Sequence, residues 1–272
     1  MKRRDFIQLT PSAIALTMLN AHHLFAASNI FTPQKSVKPR IKALRLLTSS
    51  PLSEMKRFYG DLIGLPIVDE KAKELTIQTG LSQLTFVKIN EPGVRPFYHF
   101  AFNIPQNKIE AALKWQQAKT PLVNPRPGMP GDPSKDIVHF PHWNAHSIFF
   151  LDPAGNLVEY IARHDLKNDA PGAFSVKDIL YASEIGLILN DVQSIRALIE
   201  DQFKLTSYRG SGNFMPMGDE YGLLLLLETG TTWTSHPGQV NKTYIFGTSV
   251  YIYSDTGKNW KSKDYPYEII TK

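Results

Sequence analysis

The sequence predicts an α+β fold built from repeated βαβββ modules, and three observations carry that prediction. A strand, a helix and three further strands follow one another three times along the chain, and such self-similarity marks a repeat architecture. Residues 146–164, HSIFFLDPAGNLVEYIARH, read as two apolar strands around an Asp152-Pro153-Ala154-Gly155-Asn156 turn. Proline presets φ early in such a turn, and Gly-Asn tolerates positive φ late in it. Finally, 272 residues with 42% hydrophobic and 20% charged side chains suffice for one large or two small domains with a real core.

Composition excludes some chemistry. There is no cysteine, so disulfides, thiol nucleophiles and Cys-ligated metals are ruled out. The formal net charge is +5, with no stripe of Lys and Arg interleaved with aromatics. Nucleic acid is therefore not an expected partner.

Residues 1–27 have the order of a signal peptide: basic Lys2-Arg3-Arg4, an apolar stretch over 13–25, then Ala26-Ala27-Ser28. Arg3-Arg4 followed by Phe6 resembles the twin-arginine signal. Asn20, His22 and His23 make the apolar part too short and too polar for a good membrane span. The expectation is a protein exported to the periplasm or secreted, with no stable span after processing. Residues 28–38 read as a linker.

The first module starts with a strand at 41–48. Ser49 or Ser50 is the expected cap of a helix with Pro51 in its first turn. Leu52, Met55, Phe58, Tyr59 and Leu62 recur at helical spacing and are expected in the core. Gly64 ends that helix, and strands follow at 65–69, 75–78 and 84–89. The second module has a strand at 96–104, a helix at 106–119, a Pro/Gly-rich loop at 121–133, a short strand at 137–140 and the 146–164 hairpin. Such a long loop is usually a lid, a binding loop or a linker. The third has a strand at 184–189, a helix at 192–203 and strands at 206–209, 213–217 and 223–228. Residues 243–253 and 265–271 are further strands. The expected domains are 39–164, two modules, and 165–272, the third module with the C-terminal strands.

Alternation places Leu157, Glu159 and Ile161 on one strand face. A carboxylate there is costly unless a cation, a donor or a metal meets it. Pairing with Arg163, Arg45 or a lysine is one solution.

The DPxGNxxE pattern over 152–159 and the FYxDLIGLPI-like stretch over 58–67 resemble the vicinal oxygen chelate superfamily. That group includes glyoxalase I, fosfomycin- and bleomycin-resistance proteins and extradiol dioxygenases. The resemblance implies module pairs that form cup-shaped mixed sheets. It also implies metal ligands on the first strand of each module and on the last strand of the second. Glu159 matches the last-strand carboxylate, as ligand and catalytic group, and His99 matches the first-strand histidine. The first-module position holds Leu44, a departure from the pattern. Catalytic zinc uses three protein ligands, and the ferrous facial triad two histidines and one carboxylate. The candidates for the missing ligand are His146, with His139 and His142 nearby, and Glu184 on the third module.

Two functions follow. One is an enzyme dependent on a divalent ion (Zn, Fe, Mn or Ni), a lyase, isomerase or related catalyst for a small oxygen-bearing substrate. The missing second histidine counts against a dioxygenase. The other is a metal-free, sequestering protein whose cup, near Phe97, Phe100, Phe102, Phe149 and Tyr160, takes a small ligand. A lone third module could pair with a second chain, which makes a homodimer an expectation.

Overall fold

The computed structural model describes residues 40–123, 136–210, 212, 214–236 and 239–271. The signal and linker expectations, and most of the 121–133 loop, lie outside these residues.

The first module is β1 (Ile41–Thr48), α1 (Leu52–Lys56), β2 (Ile67–Lys71), β3 (Glu74–Thr79) and β4 (Ser82–Lys88). The second is β5 (His99–Ile104), α2 (Ile109–Gln117), β6 (Leu122–Val123), β7 (Val138–Phe140), β8 (Ala145–Leu151) and β9 (Leu157–Arg163). The third is β10 (Tyr181–Leu189), α3 (Val192–Phe203), β11 (Phe214–Asp219) and β12 (Gly222–Glu228). A hairpin, β13 (Thr232–His236) and β14 (Gln239–Lys242), leads to β15 (Thr248–Ile252), β16 (Trp260–Lys261) and β17 (Tyr267–Thr271). Among the described residues no helix is long and apolar enough to cross a membrane.

Module pairing does not follow chain order. The second module joins the third: β5 pairs antiparallel with β10 inside the sheet β11-β12-β10-β5-β9-β8-β6. The first module joins the C-terminal strands in the sheet β16-β17-β15-β1-β4-β3-β2. Both sheets thus draw strands from either side of residue 164. The third module finds its partner within the chain, which removes the structural reason for expecting a second chain there.

Alternation sorts the side chains of the larger sheet. Phe100, Phe102, Val158, Tyr160, Ile185 and Leu187 face the main core, which they share with the other sheet. Phe149, Leu157, Ile188, Leu223, Leu225 and Leu227 line the other, cupped face. Phe100, Phe102 and Tyr160, expected beside the cup, are therefore core residues on the opposite face.

Two local expectations are corrected. The first helix takes Pro51 as its N-cap, with no side-chain cap from Ser49 or Ser50. It then widens into a π-helical segment over Arg57–Leu62. The wider turn shifts the helical phase, so Leu62 is 37% exposed while Ile63 and Leu65 are buried.

The DPAGN turn fixes the second module's geometry. Asp152 Oδ1 accepts from Ala154 N and Asn156 N, both at 2.9 Å, and Oδ2 accepts from Asn156 Nδ2 and Tyr59 Oη, both at 2.8 Å. Asn156 Oδ1 in turn accepts from Tyr98 N at 3.0 Å, beside His99. Burial pushes the Asp152 carboxyl up to about 6, against the pull of these donors. Asp152→Ala strips four acceptor contacts from a buried turn. It should cost about 2–4 kcal/mol in urea denaturation; a loss under about 0.5 kcal/mol would mean the turn holds without them.

Candidate metal centre

Register builds the site. Ala101 of β5 pairs with Glu159 of β9 on one side and with Glu184 of β10 on the other. His99 lies two residues from Ala101, on the same face. The small alanine leaves room between the two carboxylates. One ligand atom from each of His99, Glu159 and Glu184 lies within 4.8 Å of the others. Among the described residues this is the only such group of three.

All three side chains are buried, at 5%, 4% and 2% exposure. His99 Nε2 lies 3.3 Å from Glu159 Oε2 and 3.9 Å from Glu184 Oε2. His99 Nδ1 is 3.0 Å from the Leu157 carbonyl oxygen. A carbonyl only accepts, so Nδ1 carries a proton, and whenever the ring is neutral its Nε2 lone pair faces the two carboxylates. A hydrogen bond from the outer nitrogen is the usual support of a ligating histidine.

The electrostatics are tightly coupled. Burial disfavours the His99 imidazolium, but hydrogen bonds and charge from Glu159 and Glu184 outweigh it and hold the pKa at about 9. Burial pushes the Glu159 carboxyl up and the charge of Glu184 adds to it, while His99 and Ser147 pull the other way. Arg163, fully buried, bonds Glu184 Oε1 through Nη2 and lies 5.3 Å from the Trp143 ring centroid. Among the described residues its Nε and Nη1 have no hydrogen-bond partner.

The structure thus brings His99, Glu159 and Glu184 together, and answers which module faces the cup. Arg163, one of the cations expected to meet Glu159, pairs with Glu184 instead. Leu44 is a core residue of the other sheet. His146 stands apart. It pairs with Ala162, on the face opposite Glu159. Its Nδ1 lies 2.7 Å from His164 Nε2, and its ring stacks on His139 with centroids 4.4 Å apart. His142 is exposed. The fourth corner of the cup is apolar: Leu225 sits beside Gly186 as Glu159 sits beside Ala101.

Paired βαβββ modules that close into cupped mixed sheets are the glyoxalase-type fold, the architecture of vicinal oxygen chelate proteins. The chain is similar in structure to a "putative dioxygenase" of Bacillus subtilis subsp. subtilis str. 168, with TM-score 0.55, 15% identity and 86% of each chain covered. It also aligns with glyoxalase I from Zea mays, with TM-score 0.49, 12% identity, and 86% of this chain and 92% of that one covered. No family model and no curated protein matches the sequence.

Proposed function

We propose that the protein is a divalent-metal-dependent enzyme, a lyase, isomerase or related catalyst for a small oxygen-bearing substrate. The observation that carries this reading is the convergence of one oriented histidine and two carboxylates in an apolar cup. The donor set fits a divalent ion: imidazole suits Zn, Fe and Ni, and carboxylates suit Mn. A bound ion would supply Lewis acidity, polarising a substrate oxygen. One histidine with two carboxylates differs from the two-histidine, one-carboxylate set of ferrous oxygenases, which disfavours oxygen activation.

The chain's own residues do the rest. His99 is held in one tautomer by the Leu157 carbonyl. Arg163 fixes the Glu184 carboxylate and leaves its second oxygen facing His99. Glu159, whose affinity for a proton is raised by burial and by Glu184, is the group suited to accept one from the substrate. The leucines and Phe149 exclude water.

One observation favours metal-free binding as the second reading. Arg163 and a protonated His99 together balance Glu159 and Glu184 without any ion. Metal content decides. The full chain, isolated without chelators, should hold close to one equivalent, and His99→Ala, Glu159→Gln and Glu184→Gln should each lose it. A parent that stays empty after loading with zinc, iron, manganese and nickel would leave only the second reading.

Export is part of the proposal, supported by the basic, apolar and small-residue order of residues 1–27. A shortened chain in the periplasmic fraction is expected; a full-length cytoplasmic chain would overturn it.

A further inference from the structure

Three histidines outside the metal centre meet near the start of β8. His146 lies directly across from His139 in the β7–β8 ladder. Their rings stack with centroids 4.4 Å apart and planes within 9° of parallel. On its other side, His146 Nδ1 is 2.7 Å from His164 Nε2. All three side chains are half-buried.

This arrangement limits the protons the cluster can hold. His139 and His164 can each be charged while His146 stays neutral, its Nδ1 accepting from the His164 Nε2–H. A proton on His146 as well would set two N–H groups against each other at 2.7 Å, and two imidazolium faces against each other at 4.4 Å. The closed cluster thus holds two protons where the released chain holds three. The charged groups around it offer no relief. Asp136, ahead of β7, accepts from Gln117 of α2 at 2.7 Å, and Asp165 accepts from Asn144 and Arg209. Lys167 Nζ donates to His164 O at 3.2 Å, and His142 is exposed. Among the described residues no carboxylate pairs with any of the three rings.

The chain that His139 anchors is weakly held. β7 has three residues and, among the described residues, pairs only with β8. It runs into a 3-10 turn, Pro141–Trp143, which ends on Asn144 at φ 46°. Two further ties hold the turn: Arg209 Nη1 donates to His142 O at 3.1 Å, and Asn144 Nδ2 to Asp165 Oδ1 at 2.8 Å. Arg209 itself sits at φ 48°. Positive φ at residues other than glycine stores strain, and such strain gathers at switch regions. The turn carries Trp143, whose ring lies 5.3 Å from the Arg163 guanidinium and stacks on Phe214 at 6.0 Å. It closes the Arg163 end of the cup.

We propose that residues 138–144 are an acid-released flap over the Arg163 end of the cup, and that the His139–His146–His164 cluster is the proton sensor that releases it. The flap stands on the histidine geometry, whether or not the centre holds an ion. Burial, with the charges of His139 and His164, lowers the His146 pKa in the fold. A histidine lowered in this way favours the closed form above its free value, about 6.5. That contribution is lost as pH falls below it.

Hydrogen exchange of the full chain, read on peptides covering 138–147 and corrected for the intrinsic rate, tests the proposal. The opening constant of these residues should rise about tenfold from pH 7.5 to 5.5, the effect of one extra proton in the open form. The Val192–Phe203 helix should not respond. His146→Gln, which keeps a donor and an acceptor but takes no proton, should hold the rise below about twofold. The double variant His139→Gln with His164→Gln leaves His146 unopposed and should do the same. His142→Gln, outside the cluster, should keep the full rise. A flat parent would overturn the flap. A rise that survives in both His146→Gln and the double variant would overturn the sensor. So would a release that begins only in the carboxylate range, which would place the trigger at Asp165.

Discussion

Arg163→Met destabilises the metal-free protein by about 3 kcal/mol, the lower end of the range for breaking a buried ion pair from one side. Arg163 is fully buried, and Glu184, its partner, is 2% exposed. Removing the guanidinium leaves Glu184 as a buried carboxylate faced only by His99 at 3.9 Å. The loss stays at the low end because Arg163 itself carries two nitrogens without partners, and methionine removes that cost. Replacing both members, Arg163→Met with Glu184→Leu, should recover most of the stability, because apolar isosteres of an ion pair are often neutral or better. Metal should also rescue the single variant, since an ion between His99 and the carboxylates takes over as counter-charge. Urea melts of the parent and the two variants, with and without metal, read all of this. A single-variant loss below about 1 kcal/mol would show that His99 alone compensates Glu184, and the positioning role given to Arg163 would fall.

The second large effect is a pH dependence that changes with metal. His99 is raised from about 6.5 in the unfolded chain to about 9 in the fold. A group raised on folding stabilises fully below its unfolded pKa and loses that contribution as pH climbs through the folded one. The metal-free protein should therefore lose stability between about pH 6.5 and 9, by an amount on the order of 3 kcal/mol. Glu159, also raised, acts in the same direction as it ionises. Metal binding needs the neutral ring, so metal affinity should rise over this interval and the loaded protein should keep its stability. Thermal melts at stepped pH, beside His99→Gln, test this. A metal-free parent as flat as His99→Gln would remove the proton from His99 in the fold.

Much of this architecture was legible in the sequence because it rests on local patterns. The strand at Ile41–Thr48 and the helix at Val192–Phe203 have the expected bounds. They carry their own periodicity, and Asp191 caps the helix by accepting from Ser194 N. The DPAGN turn was readable from its residues, but its grip on Tyr98 and Tyr59 was not, because those contacts span 58 and 93 residues. Leu62 misled because a π-helical turn leaves no mark in an apolar repeat. Glu184 could be named from its module position. Its approach to His99 depended on β10 choosing β5 rather than a strand of another module, a long-range choice that local patterning does not encode. His146 drew attention as a histidine at the head of an apolar strand. Counting alternation back from Phe149 would have placed Ser147, not His146, on the face of Glu159. Arg163 shared that face from the start, but its partner could be found only across the sheet.

The way the modules pair has a consequence for how the chain comes together during synthesis. The sheet bearing His99, Glu159 and Glu184 has its last strand by Glu228. The other sheet needs Ile41 to meet Ile252 and β15 to meet β17. The sheets are nested, like an inner bracket closing before the outer one. Contacts of short sequence separation form sooner than distant ones, and a chain emerging from the ribosome folds what it already has. The inner sheet can close first, while β1 to β4 wait with one edge unpaired until the final residues arrive. Loss of the last twenty residues would leave every strand of the metal-bearing sheet in place, though without the Tyr267 hydroxyl that bonds Ile188, and the outer sheet open, so damage at the C-terminus should show first as aggregation through that edge.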